Sequence, residues 1–412
     1  MASPKHLEIL GEEDCQNTLE KFLGTKNFQI ASFEVKDFHN PYQGLVGEHF
    51  TLEVRYVREN KQECDEFFVK SVSTNPLMST FSKEILVYEK EKFFYELLDE
   101  YRKYNIDTSF APRGLFFKPR VVVLEDLSRG YKGSEKRQPL DLEQCRSCLQ
   151  TIAKFHASSI IYERKKSEEL GKKFSLNDDN SEILEDKLAS TKECLASKFM
   201  SCSLEGVFTL IDLVLEGYRT NEELKTKLVD VVSQDTDDEG LISGLLHGDL
   251  WTSNFLYSYH QDGKISDTKL LDFQMIKYGP LELDVAEFLM SNTTHSFRLQ
   301  HFDPLVEHCH AALSQSLSAA GLRPHDVQPP TPTFVTSCNN FKLAGKIHAV
   351  VDHSYTFMAD EIYGDVMKSE ESFKKFLFEE RSRYIIESYN ENEAFKKVLC
   401  QDIVELRDLL FS

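Results

Sequence analysis

Apolar and polar positions along this chain follow two rhythms, and the change from one to the other divides it. Residues 1–26 read as a helix. From there the step is two residues, as in half-buried strands: Gln29–Phe38 and His49–Val57 alternate, and Glu66–Lys70 is a short apolar run ending in a cation. Gly44 and Gly47 fall in the turn before the second of these strands. From Ser79 to about Tyr104 the step lengthens to three or four. One helix is predicted there, with Phe81, Ile85, Tyr88, Phe93, Phe94 and Leu97 on its apolar stripe. Arg120–Leu127 is a buried strand running into the polar break at Ser128, Arg129 and Gly130. Beyond it, Asp141 can cap a helix whose stripe is Leu142, Cys145, Leu149, Ile152 and His156. Two further helical segments are predicted between Ser181 and Val232. After the acidic break 234–240 comes a strand, a loop and a hairpin, and beyond Glu282 nearly everything is helical except the proline-rich loop 328–332. The order predicts an α+β chain of two lobes: a small β-rich N-lobe over 1–127 and a large, mainly helical C-lobe over 128–412, with a cleft at the strand joining them.

Bulk properties narrow the partners. A chain of 412 residues is too long for one small domain. A formal charge of −20 repels phosphate backbones, which argues against nucleic acid. Nine cysteines at irregular spacing form neither a disulfide framework nor a paired zinc pattern, and fit a reduced, cytoplasmic compartment. No apolar run reaches the roughly 18 residues of a bilayer span, so no membrane partner is expected. The first residues lack a signal-peptide core, and the last lack a prenylation cysteine.

The chemistry concentrates in His247-Gly248-Asp249-Leu250-Trp251-Thr252-Ser253-Asn254 and in Asp272-Phe273. Phosphoryl transfer needs a carboxylate to orient a hydroxyl and take its proton late, plus oxygen ligands for Mg2+. Asp249 is the candidate base, with His247 beside it in the catalytic group, and Asn254 and Asp272 are the candidate metal ligands. A hairpin between Asn254 and Asp272 would bring them together although they are 18 residues apart. The bland alternatives are a turn-capping aspartate, a turn amide and a strand-end cap.

Lys70 ends a buried strand, and a desolvated ammonium needs a partner. A nucleotide phosphate and a helix glutamate would serve. Glu84 and Glu91 compete for the second role because each follows an aromatic residue by three and precedes a tyrosine by four. Seven residues apart, they would share a helix face. Glu91 is preferred because Leu97–Tyr101 ends that helix plausibly. Position alone nominates Glu125 and Leu127 to offer backbone groups to a purine edge, and the Gly44–Gly47 turn to close over phosphates. An ordinary β-turn explains the glycines equally well.

Other features are set aside. Residues 235–240 begin like a calcium loop, but Leu246 stands where the bidentate glutamate belongs. His301, His308 and His310 read as surface residues, the last two being on different helix faces. Asn292-Thr293-Thr294 is a glycosylation sequon without meaning in cytosol.

Leu246–Asn254, Leu271–Gln274, Val123–Leu127, the segments 44–49 and 67–70, and Ala153–Ala157 together resemble the ecdysteroid kinase-like family of insects. That family stands with choline and aminoglycoside kinases in the protein-kinase-like fold. The resemblance covers roughly residues 27 to 390. It implies ATP and Mg2+ as cofactors and a small-molecule alcohol as acceptor. By it, Asp249 is the base, Asn254 and Asp272 hold metal, and Lys70 holds the α and β phosphates; Asp284 braces the catalytic loop. A protein substrate is disfavoured: Asp284 follows Asp272 by only 12 residues, leaving no room for a peptide-binding segment, and no arginine precedes Asp249. The leading reading is an ATP-dependent small-molecule O-kinase acting on steroid or other lipophilic alcohols. A choline- or ethanolamine-type kinase and a pseudokinase binding module are the alternatives. Oligomeric state leaves no trace in the sequence.

Overall fold

The computed structural model describes residues 9–38, 47–135, 137–189, 193–215, 221–233 and 241–411. α1 (Glu12–Leu23) has three acids in its first turn, where they favour the helix dipole, and ends at Gly24 in the left-handed region. An antiparallel sheet follows, built from β1 (Gln29–Asp37), β2 (Gly47–Arg58) and β3 (Lys61–Val72). Inserted after β3 are α2 (Pro76–Glu84) and α3 (Val87–Lys103), then β4 (Gly114–Lys118) and β5 (Val121–Glu125) complete the sheet in the order β1-β2-β3-β5-β4. The two-residue rhythm fixes its faces: Phe50, Leu52, Val54 and Tyr56 of β2, Phe67 and Val69 of β3, and Val121 and Val123 of β5 bury one side against Cys15 and Leu19 of α1. Lys70, opposite His49 on β2 and Val122 on β5, points the other way, toward the rest of the molecule.

Two expectations fail here. Gly47 is not in a turn: it is the first residue of β2, paired with Val72, while Gly44 lies outside the described residues. The single helix predicted from Ser79 to Tyr104 is two helices, broken where Leu86 adopts a left-handed φ of 58°. Its apolar stripe serves two surfaces. Met78, Phe81 and Ile85 enter a cluster with Met358, Phe376 and Phe378, whereas Phe94, Leu97 and Leu98 join the main core of the second lobe. Packing thus overrides the continuous periodicity.

The second lobe begins with β6 (Lys132–Gly133) and α4 (Leu142–Leu170), capped by Asp141, which accepts from the Gln144 N–H at 2.8 Å. Next come α5 (Leu176–Leu184), α6 (Leu195–Val214) and α7 (Asn221–Ser233). The strand β7 (Ser243–Leu246) leads to the hairpin of β8 (Phe255–Tyr259) and β9 (Ile265–Leu270), and β10 (Lys277–Pro280) pairs back onto β7. The remainder is α8 (Leu281–Asn292), α9 (His295–Ala319), α10 (Thr331–Asn340), α11 (Lys342–Thr356), α12 (Asp360–Met367), α13 (Glu370–Phe378), α14 (Ser382–Glu391) and α15 (Glu393–Phe411). A small antiparallel sheet and a large helical body therefore form an α+β, two-lobed, protein-kinase-like fold. No helix among the described residues is long and apolar enough to cross a membrane.

Deep in the helical body, α8, α9, α11 and α15 share a closed ion network. Lys346 lies 2.9 Å from Asp402 and 2.8 Å from Glu405. Arg298 also pairs with Glu405, and His353 bridges Asp402 (2.6 Å) and the Ser291 carbonyl (2.8 Å).

Candidate active site

Gly248 has φ +72°, and a Cβ there would meet the Met275 carbonyl at 2.7 Å, so only glycine lets the chain turn from β7 into the loop carrying Asp249. Asp284, in the first turn of α8 and fully buried, holds that turn. It accepts from the backbone N–H of His247 (2.8 Å) and Gly248 (3.1 Å), and pairs with the His156 ring (2.9 Å). Burial alone would raise its pKa, but these donors outweigh it and keep the carboxyl below its ordinary value. His247 is itself buried, and burial lowers its pKa. The neutral ring donates through Nε2 to the Leu271 carbonyl at 2.8 Å, tying the loop to the residue before Asp272.

The hairpin does the joining that the spacing called for. Phe255 pairs with Leu270, and the Leu271 N–H donates to the Asn254 carbonyl at 2.9 Å, so Asn254 and Asp272 are neighbours. Asn254 directs its amide nitrogen to Asp249, donating to the backbone carbonyl at 2.8 Å and to Oδ2 at 3.1 Å. Its amide oxygen is thereby left for a cation. Asp272 sits in the left-handed region at φ 64°, a strained conformation that aims its carboxylate at the sheet.

Lys70 meets it across the cleft. The ammonium is 2.6 Å from Asp272 Oδ1 and 2.9 Å from Glu91 Oε2. Burial would lower the lysine pKa, but the two carboxylates more than offset it and hold the charge. Glu84 takes a different job: its carboxylate accepts from the Ala196 N–H at 3.1 Å, in the first turn of α6. The break at Leu86 separates the two glutamates that a continuous helix would have aligned. Glu91 is held in place because Phe273, the residue after Asp272, stacks on Phe94 with ring centroids 3.6 Å apart, and Phe155 of α4 and His247 complete the aromatic cluster.

Asp249 is half-buried, and its pKa is pushed up to about 8. Burial is the main cause; Asp352 of α11 and Asp272 add to it, while His348 and Asn254 oppose it. A cation bound at Asn254 and Asp272 would relieve that excess of negative charge. Two such oxygen ligands fit Mg2+, which normally takes one or two carboxylates together with phosphate oxygens. Among the described residues no group of three or more His, Cys, Asp or Glu side chains could form an all-protein metal cage.

The family model of the ecdysteroid kinase-like family matches residues 44–322. The chain belongs to the ecdysteroid kinase-like family. Comparison with curated proteins gives no match. Among solved structures this ecdysteroid kinase-like chain is similar to an ethanolamine kinase of Plasmodium vivax (TM-score 0.44, 12% identity, 92% of this chain and 83% of that one). It is also similar to the choline kinase LicA of Streptococcus pneumoniae (0.43, 11%, 96% and 99%). A third is the macrolide 2'-phosphotransferase MphH of Brachybacterium faecium (0.37, 11%, 92% and 99%).

In this ecdysteroid kinase-like chain the joining strand offers less than its position promised. The Glu125 N–H donates to the Arg113 carbonyl at 2.9 Å, and the Leu127 carbonyl accepts from Gly130 and Tyr131, so both groups are occupied internally. His310 is not on the surface: it is buried, with Nε2 2.9 Å from the Pro329 carbonyl. His301 and His308 are half-buried. Asn292, the sequon residue, is buried and donates to the Leu250 carbonyl at 2.6 Å, a support of the catalytic loop that the sequon masked. Residues 234–240, the calcium-like stretch, lie outside the described residues. Sequence reasoning also missed Lys277, which packs beside Gly248 and pairs with Asp186 at 3.0 Å, His348 and Asp352 near Asp249, and Glu287 next to that pair. His156 did leave a signal: an ionisable residue at a core position of a helix stripe needs a buried partner.

Proposed function

We propose that this chain is an ATP-dependent small-molecule O-kinase of the cytoplasm that transfers the γ-phosphate to an alcohol hydroxyl, with steroid-type and other lipophilic alcohols as first candidates. One observation carries the reading: an ammonium from the sheet and a carboxylate from the hairpin meet at 2.6 Å across the cleft, with Asn254 and Asp249 hydrogen-bonded beside them. That arrangement supports the reading, because phosphoryl transfer calls for a cation, metal ligands and a base around one triphosphate.

In this reading Lys70, held by Glu91, transfers its contact from Asp272 to the α and β phosphates when nucleotide enters, which frees Asp272 to bind metal with Asn254. Asn254 and Asp272 would hold Mg2+ there, and it would supply positive charge to offset that of the phosphates. Asp249 orients the acceptor hydroxyl and takes its proton as the new O–P bond forms. His247 and Asp284 act on loop position rather than on substrate, and the Leu127 N–H is the donor left for a purine edge. A choline- or ethanolamine-type acceptor is the second reading, favoured by the carboxylate of Asp352 near Asp249 and by Glu287 beside His348 and Asp352. ADP formation from Mg-ATP, screened against steroid, glycoside, phenolic and amino alcohols, tests both. Normal ATP binding with no turnover on any of them would overturn the kinase reading in favour of a binding module.

A further inference from the structure

α8 and α11 approach so closely at one point that even a methyl group between them would be tighter than ordinary contact. A Cβ on Gly345 would lie 3.0 Å from the Ala286 carbonyl oxygen and 3.1 Å from the Glu287 nitrogen. Glu287 is one helical turn past Asp284, on the α8 face that holds the catalytic loop. His348 and Asp352 follow Gly345 by three and seven residues on α11 and so return to the crossing. Their facing atoms, Nδ1 and Oδ2, are 3.3 Å apart yet misaligned for a hydrogen bond. Glu287 is only 7% exposed, and its Oε2 also has no hydrogen-bond partner among the described residues. Such an orphan destabilises the fold unless something else completes it. The His348 and Asp352 side chains stay 29% and 20% exposed, so the crossing opens outward above a Glu287 floor. Asp249 lies within electrostatic reach of both. Of the cations that act on Glu287, His348 is already surrounded by Asp352 and Asp249 as well, and Lys277 is paired with Asp186. The crossing is therefore rich in acceptors and poor in donors.

We propose that Glu287, His348 and Asp352 form a specificity subsite that binds a second hydrogen-bond donor of the acceptor, a hydroxyl or an ammonium, while Asp249 receives the hydroxyl to be phosphorylated. The proposal rests on the kinase reading for what Asp249 does, but not for the binding itself. An alcohol with no second donor leaves the Glu287 carboxylate unpaired, and sites built around a hydrogen bond reject ligands that lack it.

The test uses the full chain saturated with Mg-ADP and measures calorimetrically the affinities of cyclohexanol, trans-cyclohexane-1,2-diol and trans-2-aminocyclohexanol. The diol or the amino alcohol should bind about tenfold more tightly than cyclohexanol, and Asp352→Asn and Glu287→Leu should each erase most of that preference. An ammonium-selective site favours the amino alcohol and loses that preference in Glu287→Gln. A hydroxyl-selective site favours the diol and keeps part of its preference in Glu287→Gln. Equal or absent binding of all three, or a preference that survives Asp352→Asn, overturns the subsite. Unchanged ADP affinity certifies each variant as folded, and if Glu287→Leu fails that check, Asp352→Asn decides. Mg-ATP assays separate the two claims: selective binding without phosphate transfer defeats the kinase reading and spares the subsite, while equal kcat/KM on all three does the reverse.

Discussion

Two buried ion clusters in this molecule look alike on paper and differ in what they leave undone. In the helical body, Lys346, Asp402, Glu405, Arg298 and His353 satisfy one another. At the cleft, Lys70 has two carboxylates, but Asn254 keeps a free amide oxygen, Asp249 is forced up to about 8, and Glu287 has an orphaned oxygen. Burying charge is expensive in both places. Where every group is matched, the cluster fixes helix packing; where matching is incomplete, polar atoms stay open, and the proposed function assigns them to ligands. A strained Asp272 at the second cluster and ordinary helix geometry at the first point the same way.

The sharpest way to break that contrast is Asp249→Asn. Turnover with an acceptor found by the screen should fall by about 10²–10⁴-fold, with Mg-ATP binding retained in a nucleotide titration; an unchanged rate would remove the cleft from the chemistry. Next, Lys346→Met removes the one cation shared by Asp402 and Glu405, leaving them only His353 and Arg298, and should destabilise the fold by about 3–5 kcal/mol in denaturant unfolding. Lys70→Met should cost less stability, because Asp272 is partly solvated and the Glu91 carboxyl, already pushed by burial up to about 6, can take up a proton, but should abolish nucleotide binding. Equal stability losses would erase the distinction. Smaller again, Glu84→Ala should destabilise by about 0.5–2 kcal/mol through the lost first-turn bond to α6, with kcat intact, whereas Glu91→Ala should lower kcat/KM for ATP.

The smallest effect is a pH dependence. Burial lowers the His353 pKa, but Asp402 more than offsets this and leaves it above the ordinary value. A raised histidine pKa adds stability that is complete below its unfolded value of about 6.5 and is lost as pH rises through the folded value. Asp402 is shifted the other way, its burial outweighed by Lys346 and His353, so its contribution disappears as pH falls below the carboxylate range. His353→Gln should therefore be most destabilised, by thermal melts, between about pH 4 and 6.5, with the deficit narrowing at higher pH.

What the sequence disclosed follows from distance along the chain. The catalytic loop and hairpin are local, so their spacing shows which residues meet, and the strand rhythm sets which way Lys70 faces. The lysine partner was harder: Glu84 and Glu91 share one spacing, and only the break at Leu86, driven by two separate packing surfaces, tells them apart. Asn292, Glu287, His348 and Asp352 reach the site from helices far downstream, where burial and crossing geometry decide proximity and no short motif records it. His310 misled for the same reason, since its burial is imposed by the proline-rich loop.

The stacking of Phe273 on Phe94 has a mechanical consequence. α3 is riveted to the lower body, and Lys90 adds a second fastening through the Ile276 carbonyl at 2.8 Å. Glu91 and Asp272 are therefore anchored to the same body, while the sheet carries the ammonium that touches both. Any separation of the β-layer from that body would have to break the two contacts together.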